Sequence, residues 1–237
     1  MKAIILAAGL GSRLRPITDT VPKCMVPVNG CPIIDKQISN LLNSGVMLSD
    51  VYVVAGYRHE VLECHLKETY PDVNVIPNLR YGETNNMYSL YMAEDKVRGE
   101  GFLLMNGDVY FDENIIAGML RVEDTVSLIA CDRSGYIAES MKVTVENGCI
   151  NHISKTITEK EFYAVSIDVY RFSPEACNFL FKEISETICD RKDENSWTEV
   201  AIDKILTNTR FVPYLISSRW VEIDNHDDLA QAESLFV

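Results

Sequence analysis

Apolar and amphipathic stretches alternate through the first half of the chain. Short apolar runs closed by glycine or polar residues are typical of buried strands, and they lie at 3–6, 51–55, 73–76 and 102–105. Between them, apolar residues recur at helical spacing in the segments 32–43, 59–68 and 86–96. Strands that alternate with helices in this way predict a mostly parallel sheet with helices on both faces.

The second half of the chain has shorter, more varied segments. Asn147-Gly148 lies between the segments 141–145 and 149–154 and predicts a two-residue hairpin turn. The other predicted elements are strands at 163–172 and 211–216, helices at 174–188, 198–206 and 227–236, and an exposed loop at 189–195. We therefore predict one Rossmann-like α/β domain over residues 1–237, with a small β-rich insertion in its second half.

The charge balance narrows the classes of ligand. Of the 237 residues, 22 are basic and 35 are acidic, which gives a formal net charge of −13. Repulsion at this charge argues against a general nucleic-acid binder and against attachment to anionic membranes. No apolar stretch approaches the ~20 residues of a membrane span. An anionic ligand therefore needs a local basic pocket.

The cysteines and the first residues bear on the cellular compartment. Seven cysteines are scattered without a CxxC pair, a pattern typical of reduced thiols. The apolar run after Lys2 leads directly into a glycine-rich turn, without the cleavage site of a signal peptide. We therefore predict a cytoplasmic protein.

A glycine-rich turn after the first strand is the clearest candidate for phosphate binding. Gly9 and Gly11 are followed closely by Arg13, Arg15 and Lys23. Glycine allows backbone N–H groups to approach an anion, and arginine adds forked, charge-assisted hydrogen bonds. The turn matches neither GxxxxGK[ST] nor GxGxxG, so it indicates a phosphate site of another type. A tight turn without a ligand is the alternative.

Two aspartates are candidate metal ligands. Asp108 follows the apolar run 102–105, and Asp224 ends a second apolar segment that begins at Trp220. Ligands of open α/β sheets lie at the carboxyl ends of strands, and carboxylates are the hard oxygen ligands that Mg²⁺ prefers. Each aspartate alone is equally typical of a turn or a helix cap.

The segment from Leu6 to Thr18, followed by Pro22-Lys23, resembles the signature LAAGxGxRLxPxT…PK of the sugar-nucleotidyltransferase family. The resemblance implies the nucleotidyltransferase fold, one Mg²⁺ held by Asp108 and Asp224, and Arg13 and Lys23 as catalytic cations. Asparagines suit cytosine, which requires both donors and acceptors. The candidate nucleotide-binding residues are Leu6, Ala7, Ala8, Gly9, Gly11, Ser12, Arg13, Lys23, Asn78, Thr84, Asn85, Asn86 and Asp108.

The pair Asn85-Asn86 followed by Tyr-Ser-Leu resembles the bacterial phosphocholine cytidylyltransferases, as does Glu222-Ile223-Asp224. In that branch CTP is the nucleotide and a small phosphorylated alcohol or amine is the acceptor. Sugar-specific members have Glu-Lys-Pro where this chain has Ser154-Lys155-Thr156. A sugar-1-phosphate nucleotidyltransferase and a nucleotide-binding regulatory protein without turnover remain alternatives.

Lysines and aromatic residues in the second half of the chain are candidates for binding the acceptor. Lysine suits its phosphate, and an aromatic ring suits a quaternary ammonium group. Glu199 and Asp203 could meet a cationic head group, although solvated helix charges look the same in sequence. The acceptor-binding candidates are Lys142, Lys155, Tyr163, Trp197, Trp220 and Glu222.

The expected reaction is direct, in-line transfer of CMP from CTP to the acceptor phosphate, with release of pyrophosphate. The acceptor phosphate is already ionised, so catalysis reduces to positioning and charge stabilisation. Residues 1–110 are expected to bind the nucleotide and residues 111–237 the acceptor. The fold is also compatible with a homodimer.

Overall fold

A computed structural model describes residues 1–237. Its strands are β1 (Lys2–Ala7), β2 (Pro27–Val28), β3 (Cys31–Pro32), β4 (Val51–Ala55), β5 (Asn74–Pro77), β6 (Phe102–Asn106), β7 (Val109–Phe111), β8 (Ser127–Asp132), β9 (Lys142–Glu146), β10 (Cys149–Ser154), β11 (Ala164–Phe172), β12 (Phe211–Leu215) and β13 (Trp220–Glu222). Its α-helices are α1 (Ile33–Asn43), α2 (His59–Thr69), α3 (Asn86–Tyr91), α4 (Glu94–Val97), α5 (Asn114–Met119), α6 (Pro174–Ser185), α7 (Thr198–Ile205) and α8 (His226–Leu235).

Nine strands form the main sheet, along the path β10-β9-β11-β6-β1-β4-β5, with β8 joining β11 to β12. The central strand β1 is parallel to β4 and β6, and β4 is parallel to β5. β11 is antiparallel to its neighbours. The predicted α/β fold with a mostly parallel central sheet is confirmed, and β1 and β6 end side by side, with Leu6 opposite Asn106.

Apolar side chains pack on both faces of this sheet. Ile4 belongs to a buried cluster of 28 residues on one face, and its neighbour Ile5 belongs to a cluster of 24 residues on the other. Alternate residues of a strand point to opposite faces, so a strand covered on both sides is apolar throughout. This explains why β1 and β6 have no hydrophobic alternation in the sequence.

The predicted hairpin is present in the second half. Asn147 and Gly148 both have positive φ, 51° and 77°, and they connect β9 to β10. These values are those of the two-residue turn that Asn-Gly favours. The hairpin pairs with β11 and extends the main sheet.

Several elements differ from the predictions. The helix predicted at 86–96 is interrupted and forms α3 and α4. The helix predicted at 174–188 ends in a π-turn at 186–190, which takes in the start of the predicted loop. The strands β7, β8 and β13 were not predicted, because β7 and β13 are too short to show a period and an apolar run such as β8 fits a buried helix equally well. None of the helices combines the length and apolarity needed to cross a membrane.

Candidate active site

A cavity of about 250 Å³ opens at the carboxyl ends of β1 and β6. This is the edge at which parallel α/β sheets place their ligands. The predicted site residues that line it are Leu6, Ala8, Gly9, Thr84, Asn85, Asn86, Asp108, Lys155, Trp197 and Glu222. The structure therefore brings residues of both halves of the chain together at one site.

The glycine-rich turn places the segment that carries Lys23. Gly11 has a φ of 60°, and a Cβ at this position would lie 3.0 Å from Cβ of Lys23. Thr18 Oγ1 donates a hydrogen bond to the carbonyl of Gly11, at 2.8 Å. Glycine is needed here both for the backbone conformation and for the close packing of Lys23 against the turn.

Other residues of the turn lie beside the cavity rather than in it. Ala7 is buried in the core, and Gly11 and Ser12 do not line the cavity. Arg13 lines a neighbouring groove of about 790 Å³, which also contains Asp224. The contact of Arg13 with this aspartate, 2.8 Å between Nη2 and Oδ2, nevertheless ties it to the carboxylates described next.

Lys23 lies between the two aspartates predicted to bind metal. Its Nζ donates to Asp108 Oδ2 at 2.7 Å and to Asp224 Oδ1 at 2.6 Å. Burial lowers the pKa of Lys23, but the two carboxylates raise it above its ordinary value. Burial likewise raises the pKa of Asp224, while Lys23 and Arg13 hold it below its ordinary value. Lys23 and Asp224 are therefore both charged at neutral pH.

Three carboxylates converge at this point. Asp108, Glu222 and Asp224 each offer an oxygen, and these oxygens lie within 4.8 Å of one another. Pairing of β13 with β7 brings them together, because Glu222 lies opposite Val109. Burial, together with the charges of Asp108 and Asp224, raises the pKa of Glu222 to about 7.

The carboxylate cluster fits a divalent cation. Asp108 Oδ1 is buried and has no hydrogen-bond partner. A buried carboxylate oxygen without a partner is unfavourable unless a cation satisfies it. Oxygen ligands from carboxylates are those that Mg²⁺ takes in proteins.

The asparagines have different environments. Asn78 is buried: its Nδ2 donates to Thr84 Oγ1 and Ser89 Oγ, at 3.2 and 3.1 Å, and its Oδ1 accepts from the backbone of Arg80. These bonds use its polar atoms within the loop. Asn78 does not line the cavity, and its bonds hold the loop that carries Thr84, while its contact with the nucleotide stays a prediction.

Asn85 and Asn86 line the cavity and also connect the two halves of the chain. Asn85 Nδ2 donates to the carbonyl of Asn195 at 3.1 Å, and Asn86 Oδ1 accepts from the backbone N–H of Thr198 at 2.8 Å. The loop before α7 is thus bonded directly to the start of α3. Trp197 lies in this loop and reaches the cavity.

Among the acceptor candidates, Lys155 and Trp197 lie together. Lys155 Nζ is 4.8 Å from the centroid of the Trp197 ring, within the range of a cation–π contact. Both line the cavity with Glu222.

Three acceptor candidates do not line the cavity. Lys142 is buried, and its ammonium donates to the carbonyls of residues 137, 138 and 140. Tyr163 packs against the guanidinium of Arg133 at 4.4 Å. Trp220 donates from Nε1 to Asp132 Oδ2 at 2.8 Å and lines the neighbouring groove. These contacts engage all three side chains outside the cavity, and their binding of the acceptor stays a prediction.

Two further acids line the cavity, Asp168 and Glu199. The hydroxyl of Tyr170 lies 2.8 Å from Asp168 Oδ1 and 2.9 Å from Glu199 Oε1. Burial raises the pKa of both carboxyls, and the charge of Glu199 raises that of Asp168 further. Asp168 was missed, although a charged residue within the apolar run of β11 is a signal. Asp203, the other acid considered on α7, bonds instead to His152.

The fold and several sequences match known proteins. A CTP:phosphocholine cytidylyltransferase from Streptococcus pneumoniae superposes with a TM-score of 0.86 at 24% identity, over 100% of this chain and 99% of that one. The choline-phosphate cytidylyltransferase of that species is 41% identical over 48% of this chain and 48% of its own length. The 2-aminoethylphosphonate cytidylyltransferase of Lancefieldella rimae is 43% identical over 48% of this chain and 45% of its own.

These alignments with curated relatives span about half the length of each protein. The predicted resemblance to cytidylyltransferases is confirmed by them. The family model described as "Nucleotidyl transferase" matches residues 2–236, which shows that the chain belongs to the nucleotidyl transferase family.

Proposed function

We propose that the protein is a Mg²⁺-dependent cytidylyltransferase that transfers CMP from CTP to a small phosphorylated alcohol or amine, such as phosphocholine, and releases pyrophosphate. The observation that carries the proposal is the position of Lys23 between Asp224 and Asp108, the second of which lines the cavity together with Gly9 of the glycine-rich turn. The relatives at 41% and 43% identity, both cytidylyltransferases, support CTP as the nucleotide.

The glycine-rich turn and the loop before α3 bind different parts of CTP in this proposal. The backbone of the turn and the guanidinium of Arg13 suit the β- and γ-phosphates. Thr84, Asn85 and Asn86 line the same cavity as Gly9 and have side chains of the donor and acceptor types that a cytosine base or ribose requires. Division of the chain into a nucleotide half and an acceptor half, at residue 110, remains part of the proposal.

The mechanism follows from charge and position. An ionised oxygen of the acceptor phosphate attacks the α-phosphorus of CTP, and pyrophosphate leaves from the opposite side. No side chain has to remove a proton, since the nucleophile is already charged. Lys23 stabilises the negative charge that develops around the α-phosphate, and Lys155 neutralises the acceptor phosphate. Asp108 and Asp224, with Glu222 as a third ligand, would hold Mg²⁺, which neutralises and polarises phosphate oxygens when bound.

The seven free thiols support a cytoplasmic location for this activity. A sugar-1-phosphate acceptor is not favoured, because the relatives at 41% and 43% identity act on choline-phosphate and 2-aminoethylphosphonate by name. A homodimer remains a prediction.

A pyrophosphate-release assay tests the proposed function. Each of the common nucleoside triphosphates is combined with phosphocholine, phosphoethanolamine, 2-aminoethylphosphonate or glucose-1-phosphate, with Mg²⁺ present. We expect turnover with CTP and at least one small acceptor. Turnover with dTTP and glucose-1-phosphate, and none with CTP, would contradict the proposal.

A further inference from the structure

The cavity contains an acidic region next to the proposed phosphate position. We propose that Asp168 and Glu199 bind a protonated primary amine of the acceptor, so that the preferred acceptor is an aminoalkyl phosphate or phosphonate rather than a choline derivative. This inference rests on the proposed function and specifies the acceptor class at the same site.

Position is the first argument. Asp168 and Glu199 come from different elements, β11 and α7, yet both line the cavity that contains Asp108 and Lys155. Asn106, at the end of β6, donates from Nδ2 to Asp168 Oδ2 at 3.0 Å and fixes the orientation of that carboxyl. An acceptor with its phosphate near Lys155 therefore has two oriented carboxyls within the same cavity.

The hydroxyl of Tyr170 provides the second argument. It contacts an oxygen of each carboxyl, at 2.8 and 2.9 Å, but it has only one hydrogen to donate. Without a ligand, the second contact requires a proton on one of the two acids. A bound ammonium group supplies positive charge and N–H donors in its place, so both acids can then be ionised.

The charges of the other residues that line the cavity also favour a cationic group on the acceptor. Four carboxyls line it, those of Asp108, Asp168, Glu199 and Glu222, whereas Lys155 is the lining residue with a cationic side chain. Lys23, which does not line the cavity, pairs with Asp108. The charge of Lys155 acts on Glu199 but forms no ion pair with it, and neither Asp168 nor Glu199 has a cationic side chain in hydrogen-bond contact.

The contacts available in the cavity favour a primary ammonium group over a quaternary one. A quaternary ammonium has no N–H and is bound best by the faces of aromatic rings. The Trp197 ring already has the ammonium of Lys155 at 4.8 Å. Tyr81, the other aromatic residue of the cavity, packs edge-on against Tyr57. Carboxyl oxygens, by contrast, accept the hydrogen bonds that a primary ammonium donates.

The test compares small phosphate esters that differ in the amine, together with one aminoalkyl phosphonate. Pyrophosphate release from CTP is measured with phosphoethanolamine, 2-aminoethylphosphonate, phosphocholine and ethyl phosphate. We expect kcat/KM for a primary amine to exceed that for phosphocholine and for ethyl phosphate by about tenfold or more, as charge-assisted hydrogen bonds can provide. Equal or higher kcat/KM with phosphocholine would overturn the inference while leaving the cytidylyltransferase proposal intact.

Variants separate recognition from folding. Glu199→Gln and Asp168→Asn keep the shape of each side chain, and each is expected to reduce the preference for a primary amine over ethyl phosphate, with KM for CTP unchanged. Asp203→Asn is the matched control, since Asp203 lies on the same helix but bonds to His152 outside the cavity. An undiminished preference in both cavity variants contradicts the inference. Absence of CTP turnover with every acceptor contradicts the proposed function instead.

Discussion

Lys23 and Asp224 are 201 positions apart in the chain, yet Nζ of one lies 2.6 Å from Oδ1 of the other. The same ammonium contacts Asp108, which follows strand β6. One side chain thus joins the N-terminal turn, the carboxyl edge of the parallel sheet and the last strand pair.

Removal of this ammonium is expected to impair turnover strongly. In Lys23→Ala, the charge that stabilises the transition state is lost, and kcat/KM should fall by about a hundredfold or more. Steady-state kinetics, with circular dichroism to verify the fold, measures this effect. Lys67→Ala is the matched control because Lys67 is an exposed lysine that pairs with Glu63 on the surface of α2. Near-normal turnover of Lys23→Ala would refute its assigned role.

The carboxylates are expected to make activity dependent on a divalent cation. Removal of Mg²⁺ with EDTA should abolish pyrophosphate release, and Asp108→Asn should raise the Mg²⁺ concentration needed for half-maximal rate and lower kcat about a hundredfold. A Mg²⁺ titration gives both quantities. Asp227→Asn changes the same charge on an exposed residue of α8 and should behave like the unaltered protein. Full activity in EDTA would remove the metal from the mechanism.

Gly11 is expected to tolerate no side chain. Gly11→Ala has to adopt a φ of 60° and to place its Cβ 3.0 Å from Lys23 Cβ. The unfavourable backbone conformation alone costs roughly 1–2 kcal/mol, and the displaced Lys23 should lower kcat/KM as well. Thermal unfolding and kinetics report the two effects. Gly135→Ala, where the new Cβ meets no atom within 4 Å, is the control. Identical behaviour of the two variants would contradict this account.

The buried acid Asp168 is expected to influence stability as a function of pH. Its pKa is raised in the folded state, chiefly by burial and then by Glu199. The folded protein therefore retains a proton that the unfolded chain releases above its ordinary pKa of about 4. The contribution of this group to stability is full below that value and declines as the pH rises toward the folded pKa.

Asp168→Asn should flatten that decline. Asparagine accepts the positive φ of 58° at this position, and it does not ionise. The free energy of unfolding, measured by urea denaturation of the ligand-free protein between pH 5 and 8, should fall less steeply with pH in the variant. Asp203→Asn is the control, because the side chain of Asp203 is 32% exposed and pairs with His152. Parallel pH profiles for the Asp168→Asn protein and the unaltered protein would argue against a raised pKa.

Local signals account for the parts of the fold and site that could be predicted from sequence. The Asn147-Gly148 turn depends only on residues that adopt positive φ, and the role of the glycine-rich turn depends on a continuous motif. Asp108 and Asp224 were predicted as partners because the first follows an apolar strand, the second ends an apolar segment, and both match a family resemblance. Their contact through Lys23 was not, since it depends on how β13 pairs with β7.

The directions in which individual side chains point could not be predicted from the sequence. Lys142 and Lys155 are both lysines near a predicted hairpin, but the first bonds to carbonyls of its own loop and the second faces the cavity. Periodicity assigns a residue to a face of a strand and does not show what covers that face. The buried positions of Asp168 and Glu199 depend on the packing of α7 over the sheet, which no local pattern encodes.

Glu222 lies in β13 and Asp224 follows it, so translation produces the glycine-rich turn and Asp108 long before it produces the other two clustered carboxylates. A nascent chain on the ribosome has the turn and Asp108 but no Asp224 to face them. The carboxylate cluster therefore forms only after β13 has been synthesised and has paired with β7, and a chain that stops before Trp220 lacks two of the three acids.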